Sequence, residues 1–274
     1  MTHRHYTHAK VMGERNSGTN FVEALVAANF RVEMLPNTMP FTARDEEMIL
    51  RIPITEAGRE AIFHRATDLN HFHEFARHAG WKHACLTDRH FKLVHNVHHT
   101  LFICVLRHPA LWLKSMLRAP FGTFYAENRA QSVRELFDTP WVTRPRDEIT
   151  ALVLETPALL WVHKATSYLA ARDQHPNVFV LRHEDLLRDH DPVLRDLSGS
   201  LKRATGDWII PEGNARSYMP RETETHRDFN AIRAELPEDP WSVLDADLAG
   251  DLQNTIGVEL LERAGYPPRP APAA

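Results

Sequence analysis

Residues 9–20 read AKVMGERNSGTN, an apolar run that ends in a glycine and leads into a polar loop. We predict a short buried strand over 9–13 and a helix over 19–30, where apolar residues recur at helical spacing. A strand–loop–helix junction of this kind binds phosphate in open α/β sheets, because free backbone N–H groups and the helix dipole point out of it. The stretch therefore favours an α/β fold with a phosphate-binding loop.

Two later apolar runs extend the same alternation. LFICVL at 101–106 is bounded by polar residues and predicts a strand buried on both faces, followed by a helix from Pro109 to about Leu117. NVFVL at 177–181 predicts another buried strand, after a long helix over 149–172 that Pro157 interrupts. Strands that alternate with helices predict a single α/β domain with a central parallel sheet flanked by helices.

Weaker patterns complete the outline. We predict a strand over 81–86, a helix over 69–79 closed by Gly80, and helices over 192–204 and 244–264. Residues 31–65 carry three prolines and are predicted to be loop or insertion. The domain is expected to span 1–266, and the proline-rich residues 267–274 are expected to form a flexible tail.

The composition is that of a soluble globular chain. Of 274 residues, 43% are hydrophobic and 25% are charged, which excludes a wholly disordered chain, a coiled coil and a collagen-like fibre. The net charge of −4 argues against bulk binding to nucleic acid, and the longest apolar run is too short for membrane insertion. Cys85 and Cys104 lie in apolar runs, so we expect buried free thiols and a cytoplasmic location.

The loop after the first strand keeps only part of a nucleoside-triphosphate motif. Gly13 and Gly18 have the G-x-x-x-x-G spacing, but Thr19 and Asn20 stand where that motif has lysine and a hydroxyl residue. The lysine that reaches the β- and γ-phosphates and the hydroxyl at the Mg²⁺ position are therefore absent. The loop is expected to hold a phosphate but suits ATP or GTP poorly. A tight turn without a ligand is the alternative.

A second phosphate-binding pattern follows the 101–106 strand. Arg107 ends that strand, at the sheet edge where open α/β folds bind ligands, and Ser115 lies about two turns into the next helix. An arginine fork and a hydroxyl together suit a phosphate group. A solvated strand-end arginine beside an ordinary helix serine is the alternative interpretation.

Together the two motifs resemble those of the sulfotransferases that use 3′-phosphoadenosine 5′-phosphosulfate (PAPS). In that family a Lys-Ser-Gly-Thr-Thr loop binds the 5′-phosphosulfate, and a strand-end arginine followed by a helix serine binds the 3′-phosphate. Residues 16–20 (NSGTN) match the loop, and Arg107 with Ser115 matches the second motif at the same interval. Residues 180–186 (VLRHEDL) are similar to the family's strand ending in Tyr-Glu-Asp, so the resemblance spans about residues 9–190.

The resemblance implies a P-loop-like fold and a metal-free transfer of a sulfuryl group from PAPS to a hydroxyl or amine, with adenosine 3′,5′-bisphosphate (PAP) as the product. The acceptor would be a small molecule or a carbohydrate. The cofactor-binding residues that it implies are Arg15, Asn16, Ser17, Gly18, Thr19, Asn20, Phe21, Arg107 and Ser115. Phe21 would stack on the adenine or, alternatively, pack in the core. His183 is a further possible contact with the nucleotide.

The catalytic groups are where the chain departs from the family pattern. Asn16 replaces the usual lysine, so Arg15 is our candidate for stabilising the leaving phosphate, and Lys82 is a second candidate. His83 is the candidate general base, with His95 as the alternative. Relatives carry Lys-x-His here, whereas Lys82 and His83 are adjacent and would lie on opposite faces of a strand.

The late 3′-phosphate residues and the choice between functions stay open. The late 3′-phosphate residues could be Lys202, Arg203, Arg216 or Arg221, and the acceptor pocket is expected among 31–65, 120–147 and 209–228. The histidine pairs at 71/73 and 98/99 lack ligand partners at an established spacing, so no metal is predicted. An ATP-dependent kinase on a P-loop scaffold and a non-catalytic nucleotide-binding domain are the alternative functions.

Overall fold

A computed structural model describes residues 5–36, 55–118, 130–204, 206–211 and 229–269. Predictions for the other positions lie outside these residues. They include Arg216, Arg221 and much of the three segments expected to form the acceptor pocket.

Among the described residues, four parallel strands form the central sheet in the order β2–β1–β3–β6, and β4 pairs antiparallel with β5. The strands are β1 (His8–Gly13), β2 (Glu33–Met34), β3 (Thr100–Leu106), β4 (Trp141–Val142), β5 (Val153–Leu154) and β6 (Val178–Arg182). Gly13 lies opposite Val105 and Leu106 lies opposite Arg182, so β1, β3 and β6 end at one edge. The predicted fold class, a parallel sheet flanked by helices, is confirmed, as are its three long strands.

Helices cover both faces of this sheet. They are α1 (Thr19–Asn29), α2 (Glu56–His73), α3 (Phe75–His78), α4 (Asp88–Leu93), α5 (Pro109–Arg118), α6 (Val133–Phe137), α7 (Pro157–Gln174), α8 (His183–Arg188), α9 (His190–Ser198), α10 (Phe229–Ala234), α11 (Ala246–Ile256) and α12 (Val258–Arg263). Short 3₁₀ turns cover Val97–His99, Pro145–Asp147 and Pro240–Val243. The helices predicted to begin at Thr19 and Pro109 are confirmed.

The strand predicted over 81–86 is wrong, because the segment forms no ladder with any described strand. Its backbone turns instead, and the Ala84 N–H donates to the Trp81 carbonyl at 3.0 Å. A backbone bond from the Gly13 N–H to the Lys82 carbonyl, 2.9 Å long, ties it to the end of β1. We call residues 80–86 the anchored segment, since side chains from other elements hold it.

Helix boundaries also differ from the prediction. α7 starts at Pro157, because proline is tolerated in the first helical turn, so this residue begins the helix and does not interrupt it. α2 starts at Glu56, inside the region predicted to be loop, with the Thr55 hydroxyl as its cap. Gly257, at a φ of 85°, divides the helix predicted over 244–264, and α9 ends at Ser198.

The two faces of the sheet carry separate apolar clusters, because successive residues of a strand point to opposite sides. Met12, Phe102 and Cys104 lie in the larger cluster, together with α5, α7 and α11. Val11 and Ile103 lie in the other cluster, together with α1, α8 and α9. The strand ends and the N-terminus of α1 therefore meet above a core that is packed on both sides.

Three further observations concern the thiols, the helices and the C-terminal end of the chain. Cys85 and Cys104 are buried free thiols, as predicted. No helix of the described residues is both long and apolar enough to cross a membrane. The Trp241 indole N–H donates to the Pro267 carbonyl at 3.2 Å, so the first residue of the predicted tail contacts the domain, while 270–274 lie outside the described residues.

Candidate active site

The loop between β1 and α1 turns through hydrogen bonds within itself. The Ser17 N–H and hydroxyl both donate to the Glu14 carbonyl, at 3.1 and 2.6 Å. Asn16 and Gly18 have φ values of 63° and 89°, in the left-handed region that favours glycine. A Cβ atom at Gly18 would lie 2.3 Å from the His183 ring, so the position has no room for a side chain.

The N-terminus of α1 has the features of an anion site. Gly18 is the N-cap and supplies no capping side chain, and the first turn contains no acidic residue. The first N–H groups of a helix lack intrahelical partners, and the helix dipole concentrates positive charge there. The loop and this helix end together therefore meet the physical requirements of a phosphate-binding junction.

The two sequence motifs meet at Asn16. The Arg107 guanidinium donates to the Asn16 carbonyl at 2.7 Å, and the Asn16 amide donates to the Ser115 carbonyl at 3.3 Å. The Trp112 indole N–H donates to the Arg15 carbonyl at 3.0 Å, which fixes the same loop against α5. The half-buried Ser115 hydroxyl donates to its own helix, one turn back. The two predicted phosphate motifs thus contact each other at the edge of the sheet.

Arg15 is buried beside a carboxylate. Its guanidinium NH1 lies 2.9 Å from Glu14 Oε1, its backbone N–H donates to the same oxygen at 2.8 Å, and its side chain is 5% exposed. The centre of the Trp81 ring lies 6.0 Å from its guanidinium carbon. A guanidinium held in this way is a fixed positive charge next to the loop, which suits electrostatic stabilisation and does not suit proton donation.

Lys82 reaches the first turns of α1 from the anchored segment. Its Nζ donates to Asn20 Oδ1 and lies 3.3 Å from Glu23 Oε2. Burial lowers the pKa of Lys82, and the Glu23 carboxylate opposes that shift. Lys82 therefore carries a second positive charge at the loop and releases its proton more readily than an exposed lysine.

His83 contacts the loop through its ring. Nδ1 lies 2.5 Å from the Gly13 carbonyl, and because a carbonyl only accepts, we assign the proton to Nδ1 and the lone pair to Nε2. Burial, followed by the charges of Arg15 and Lys82, lowers the pKa of His83 well below its usual value. His83 is thus neutral at pH 7, with Nε2 in the form that a general base requires.

The turn in the anchored segment explains why His83 reaches the loop and Lys82 reaches the start of α1. The expectation that Lys82 and His83 lie on opposite faces is wrong, because it assumed a strand at residues that form a turn. His95, the alternative base, is exposed, and its N–H donates to the Ala76 carbonyl at 2.9 Å. His95 therefore lies beside α3, away from the loop.

Phe21 and His183, the two further candidate contacts with the nucleotide, occupy different environments. Phe21 is 3% exposed and packs in the cluster that α1 forms with the sheet, which is the core-packing alternative for this residue. The His183 ring lies against Gly18. Burial, and then the charge of Arg107, lowers the pKa of His183 to about 3. His183 is therefore neutral at pH 7 and packs against the loop.

Lys202 and Arg203 lie at the far end of α1 from the loop. The Lys202 carbonyl accepts the Arg31 N–H at 2.8 Å, and the Arg203 guanidinium carbon lies 3.8 Å from the centre of the Trp208 ring. Because α1 has 11 residues, its two ends are about 16 Å apart. Neither residue is placed to complete the 3′-phosphate site, which corrects that expectation.

A cluster of buried charges beneath the loop was missed by the sequence analysis. Lys164 Nζ, on α7, lies 3.5 Å from Glu14 Oε2 and 3.8 Å from Asp147 Oδ1. Arg146, also buried, donates to Asp68 Oδ1 at 2.7 Å. The available signal was a lysine on the apolar stripe of a helix, since a buried lysine needs a partner.

The first histidine pair is split between the interior and the surface. His71 Nδ1 accepts the Trp81 N–H at 2.9 Å, and its Nε2 lies 3.0 Å from Glu148 Oε1, whereas His73 is 81% exposed. In the described part of the chain, no three His, Cys, Asp or Glu side chains are grouped as a metal ion requires.

Solved structures similar to this chain include a sulfotransferase domain from the curacin biosynthetic pathway, which is 13% identical. The match covers 96% of this chain and 99% of that chain, with a TM-score of 0.48. Retinol dehydratase in complex with retinol and PAP is 15% identical over 74% of this chain and 62% of that chain, with a TM-score of 0.38. Retinol dehydratase with androsterone and the inactive cofactor PAP is 14% identical, over 96% of this chain and 67% of that chain, with a TM-score of 0.37. No family model and no curated protein matches the sequence.

Proposed function

We propose that this chain is a sulfotransferase that transfers a sulfuryl group from PAPS to a hydroxyl or amine of a small-molecule or carbohydrate acceptor. One observation carries the proposal, which is that the two phosphate motifs meet at Asn16, through Arg107 and the Ser115 carbonyl. Two phosphate-binding elements at one sheet edge suit a ligand with two separate phosphate groups. PAPS has one such group at its 5′ position and one at its 3′ position.

The donors at this edge fit such a nucleotide. The uncapped N-terminus of α1 and the hydroxyls of Ser17 and Thr19 would hold the 5′ group, and Arg107 with Ser115 would hold the 3′-phosphate. The Ser17 and Ser115 hydroxyls would turn to the phosphates from the carbonyls to which they donate in the free protein. The glycine at position 18 keeps the backbone of the loop free of a Cβ atom. The missing lysine of the triphosphate motif is consistent with PAPS, which has no β- or γ-phosphate.

The catalytic roles follow from charge and protonation state. When bound, PAPS would supply the activated sulfuryl group. Arg15 and Lys82 place positive charge beside the loop, where it stabilises negative charge on the departing phosphate. His83 Nε2 accepts the proton of the acceptor hydroxyl, because its Nδ1 proton is committed to the Gly13 carbonyl. This scheme requires no metal ion.

Thermal unfolding with PAP, ADP and ATP–Mg²⁺ in parallel tests the proposal. A ligand at 100 times its Kd adds about 2.7 kcal/mol of stability, which raises Tm by about 5–10 °C for a domain of this size. A shift with PAP alone supports the proposal and justifies a screen of acceptors with PAPS. A shift with ATP–Mg²⁺ alone favours the kinase alternative, and no shift with any nucleotide overturns the proposal. PAP binding with no turnover in the screen favours a non-catalytic nucleotide-binding domain.

A pair of strand-end arginines provides the matched variants. Arg107→Ala should abolish most of the PAP-induced shift, because it removes the guanidinium proposed to hold the 3′-phosphate. Arg182→Gln is the control, since Arg182 ends the neighbouring strand β6 but is paired with Asp185 at 2.6 Å. The control should lower the Tm of the free protein and keep the shift. Equal loss of the shift in both variants would contradict a specific role for Arg107.

A further inference from the structure

Lys164 lies in the middle of α7, on the side of the helix that faces the sheet. It is 1% exposed, and the residues one turn before and after it, Leu160 and Tyr168, are fully buried. An isolated buried ammonium is very costly, so its partners must compensate for the lost hydration. The partners of Lys164 therefore indicate the role of its charge.

The partners of Lys164 are the two groups that hold the candidate catalytic residues. Its Nζ donates to the His83 carbonyl and lies 3.5 Å from Glu14 Oε2. Glu14 uses its other oxygen, Oε1, to bind both the guanidinium and the backbone N–H of Arg15. One ammonium therefore connects Arg15, through a carboxylate, with the backbone of His83.

Asp147 is the second acidic partner of Lys164. Lys164 Nζ lies 3.8 Å from Asp147 Oδ1, and the Asp147 carbonyl accepts the Cys85 N–H at 2.9 Å. Burial raises the pKa of Asp147, but the charges of Lys164, Arg15 and Arg146 outweigh this and hold it below its usual value. The carboxylate is thus ionised, and the cluster joins α7, the loop and the anchored segment.

We infer that Lys164 is a positioning residue of the site, which holds Arg15 and His83 in one fixed arrangement at the loop. The inference rests on the proposed sulfotransferase function. Without the ammonium, the His83 carbonyl loses its donor and Glu14 Oε2 loses the cation beside it. Both candidate groups then lose a restraint, and a misplacement of about 1 Å is enough to cost about 100-fold in rate.

Tyr168 offers a control on the same helix. Its hydroxyl donates to the Ala84 carbonyl at 3.0 Å, so it also anchors the segment, one residue beyond His83. Tyr168→Phe removes one buried hydrogen bond, and Lys164→Met removes the charge that joins the two candidate groups. If α7 had only a structural role, the two variants would lower the rate of PAPS hydrolysis to a similar extent at equal fractions of folded protein.

The experiment measures PAP binding and slow PAPS hydrolysis, with water as the acceptor, in the wild type, Lys164→Met, Lys164→Arg and Tyr168→Phe. We expect Lys164→Met to lower the rate by about 100-fold with less than about a threefold change in the Kd for PAP. Lys164→Arg should recover part of the rate, and Tyr168→Phe should stay near wild type. Equal rates in Lys164→Met and Tyr168→Phe would overturn the inference. If Lys164→Met does not fold because the buried Asp147 carboxylate loses the ammonium beside it, the Asp147→Asn/Lys164→Met double variant replaces it and keeps the Glu14–Arg15 pair intact.

Imidazole ¹⁵N chemical shifts of His83 give a readout that does not depend on activity. In the wild type and in Tyr168→Phe they should report a neutral ring with the proton on Nδ1. In Lys164→Met the ring should show a mixture of tautomers, because its bond to Gly13 is no longer enforced. An unchanged single tautomer in Lys164→Met would overturn the positioning role. If the wild type neither binds PAP nor hydrolyses PAPS, the proposed function fails, and the tautomer result still decides the role of Lys164.

Discussion

The phosphate loop and the anchored segment lie side by side at the candidate site, yet they are stabilised in different ways. The loop, residues 13–18, continues directly from β1 into α1 and turns through bonds to the Glu14 carbonyl. Three of its carbonyls also accept bonds from the side chains of His83, Arg107 and Trp112, but among the described residues its N–H groups are not bound by side chains of the neighbouring elements. The anchored segment belongs to no strand or helix. Its backbone is bound by side chains from other elements, which are Lys10, His71, Lys164, Ser167 and Tyr168.

This difference explains how the fold brings two basic groups to the start and end of the loop. A strand would have sent Lys82 and His83 to opposite faces, whereas a turn sends both toward β1 and α1. A turn without a ladder leaves backbone groups to be satisfied by buried side chains. We therefore expect the anchored segment to depend on single distant residues, and the loop to depend on its backbone conformation.

Among the changes considered, acid is expected to lower the free energy of unfolding most, because it acts on histidines near both the loop and the anchored segment. Burial lowers the pKa values of His90, beside the anchored segment, His108, after β3, and His183, against the loop, to about 3 from 6.5. Between these values the unfolded chain binds protons that the folded chain does not, so stability falls as the pH drops through 6.5. By pH 5.5 the three sites together remove about 4 kcal/mol. Urea unfolding at pH 7.5 and 5.5 measures this loss.

Proton uptake provides the check on that interpretation. Unfolding at pH 5 should take up at least about three protons, one at each of these histidines, with a further contribution from His83, whose pKa burial also lowers. Calorimetry in buffers of different ionisation enthalpy can count them. Equal free energies of unfolding at the two pH values would show that the three rings do not stay neutral in the folded chain.

Gly18→Ala tests whether the loop depends on its backbone conformation. Alanine at a φ of 89° is strained, and its Cβ would lie 2.3 Å from the His183 ring. We expect a loss of about 3 kcal/mol in the free energy of unfolding, from strain and from the displaced ring together. Denaturant unfolding measures the loss.

A double-mutant cycle with His183→Ala separates the two causes. In the His183→Ala background the ring is gone, and Gly18→Ala should cost only about 1–2 kcal/mol, for strain alone. The same cost in both backgrounds would mean that contact with His183 contributes nothing.

The free energy of unfolding of His71→Ala tests the anchored segment. His71 is fully buried, and the change leaves the Trp81 N–H without its acceptor, so we expect a loss of about 2 kcal/mol. His73→Ala, on the exposed side of the same helix, is the control and should change stability by less than about 0.5 kcal/mol. Similar losses in the two variants would place the effect in the helix and not in the anchored segment.

The difference between the loop and the anchored segment also explains which of them could be predicted from the sequence. The loop and the Arg107–Ser115 motif follow from local order, namely glycine spacing, an apolar run and a strand-end arginine. The anchored segment could not be predicted, since WKHACL has the composition of a strand and its conformation depends on side chains distant in sequence. Lys164 was missed for the same reason, because the helical pattern marks it as buried but does not name its partners.

Ser167→Ala is expected to have the smallest effect and tests the far end of the anchored segment. The Ser167 hydroxyl accepts the Leu86 N–H at 3.1 Å, but it is only half-buried, so water can replace it. We expect a loss of about 0.5–1 kcal/mol in the free energy of unfolding. Amide exchange at Leu86 should accelerate while exchange in the loop stays unchanged. Faster exchange at Ser17 as well would mean that the loop and the anchored segment open together, and that their separate modes of stabilisation do not make them separate units.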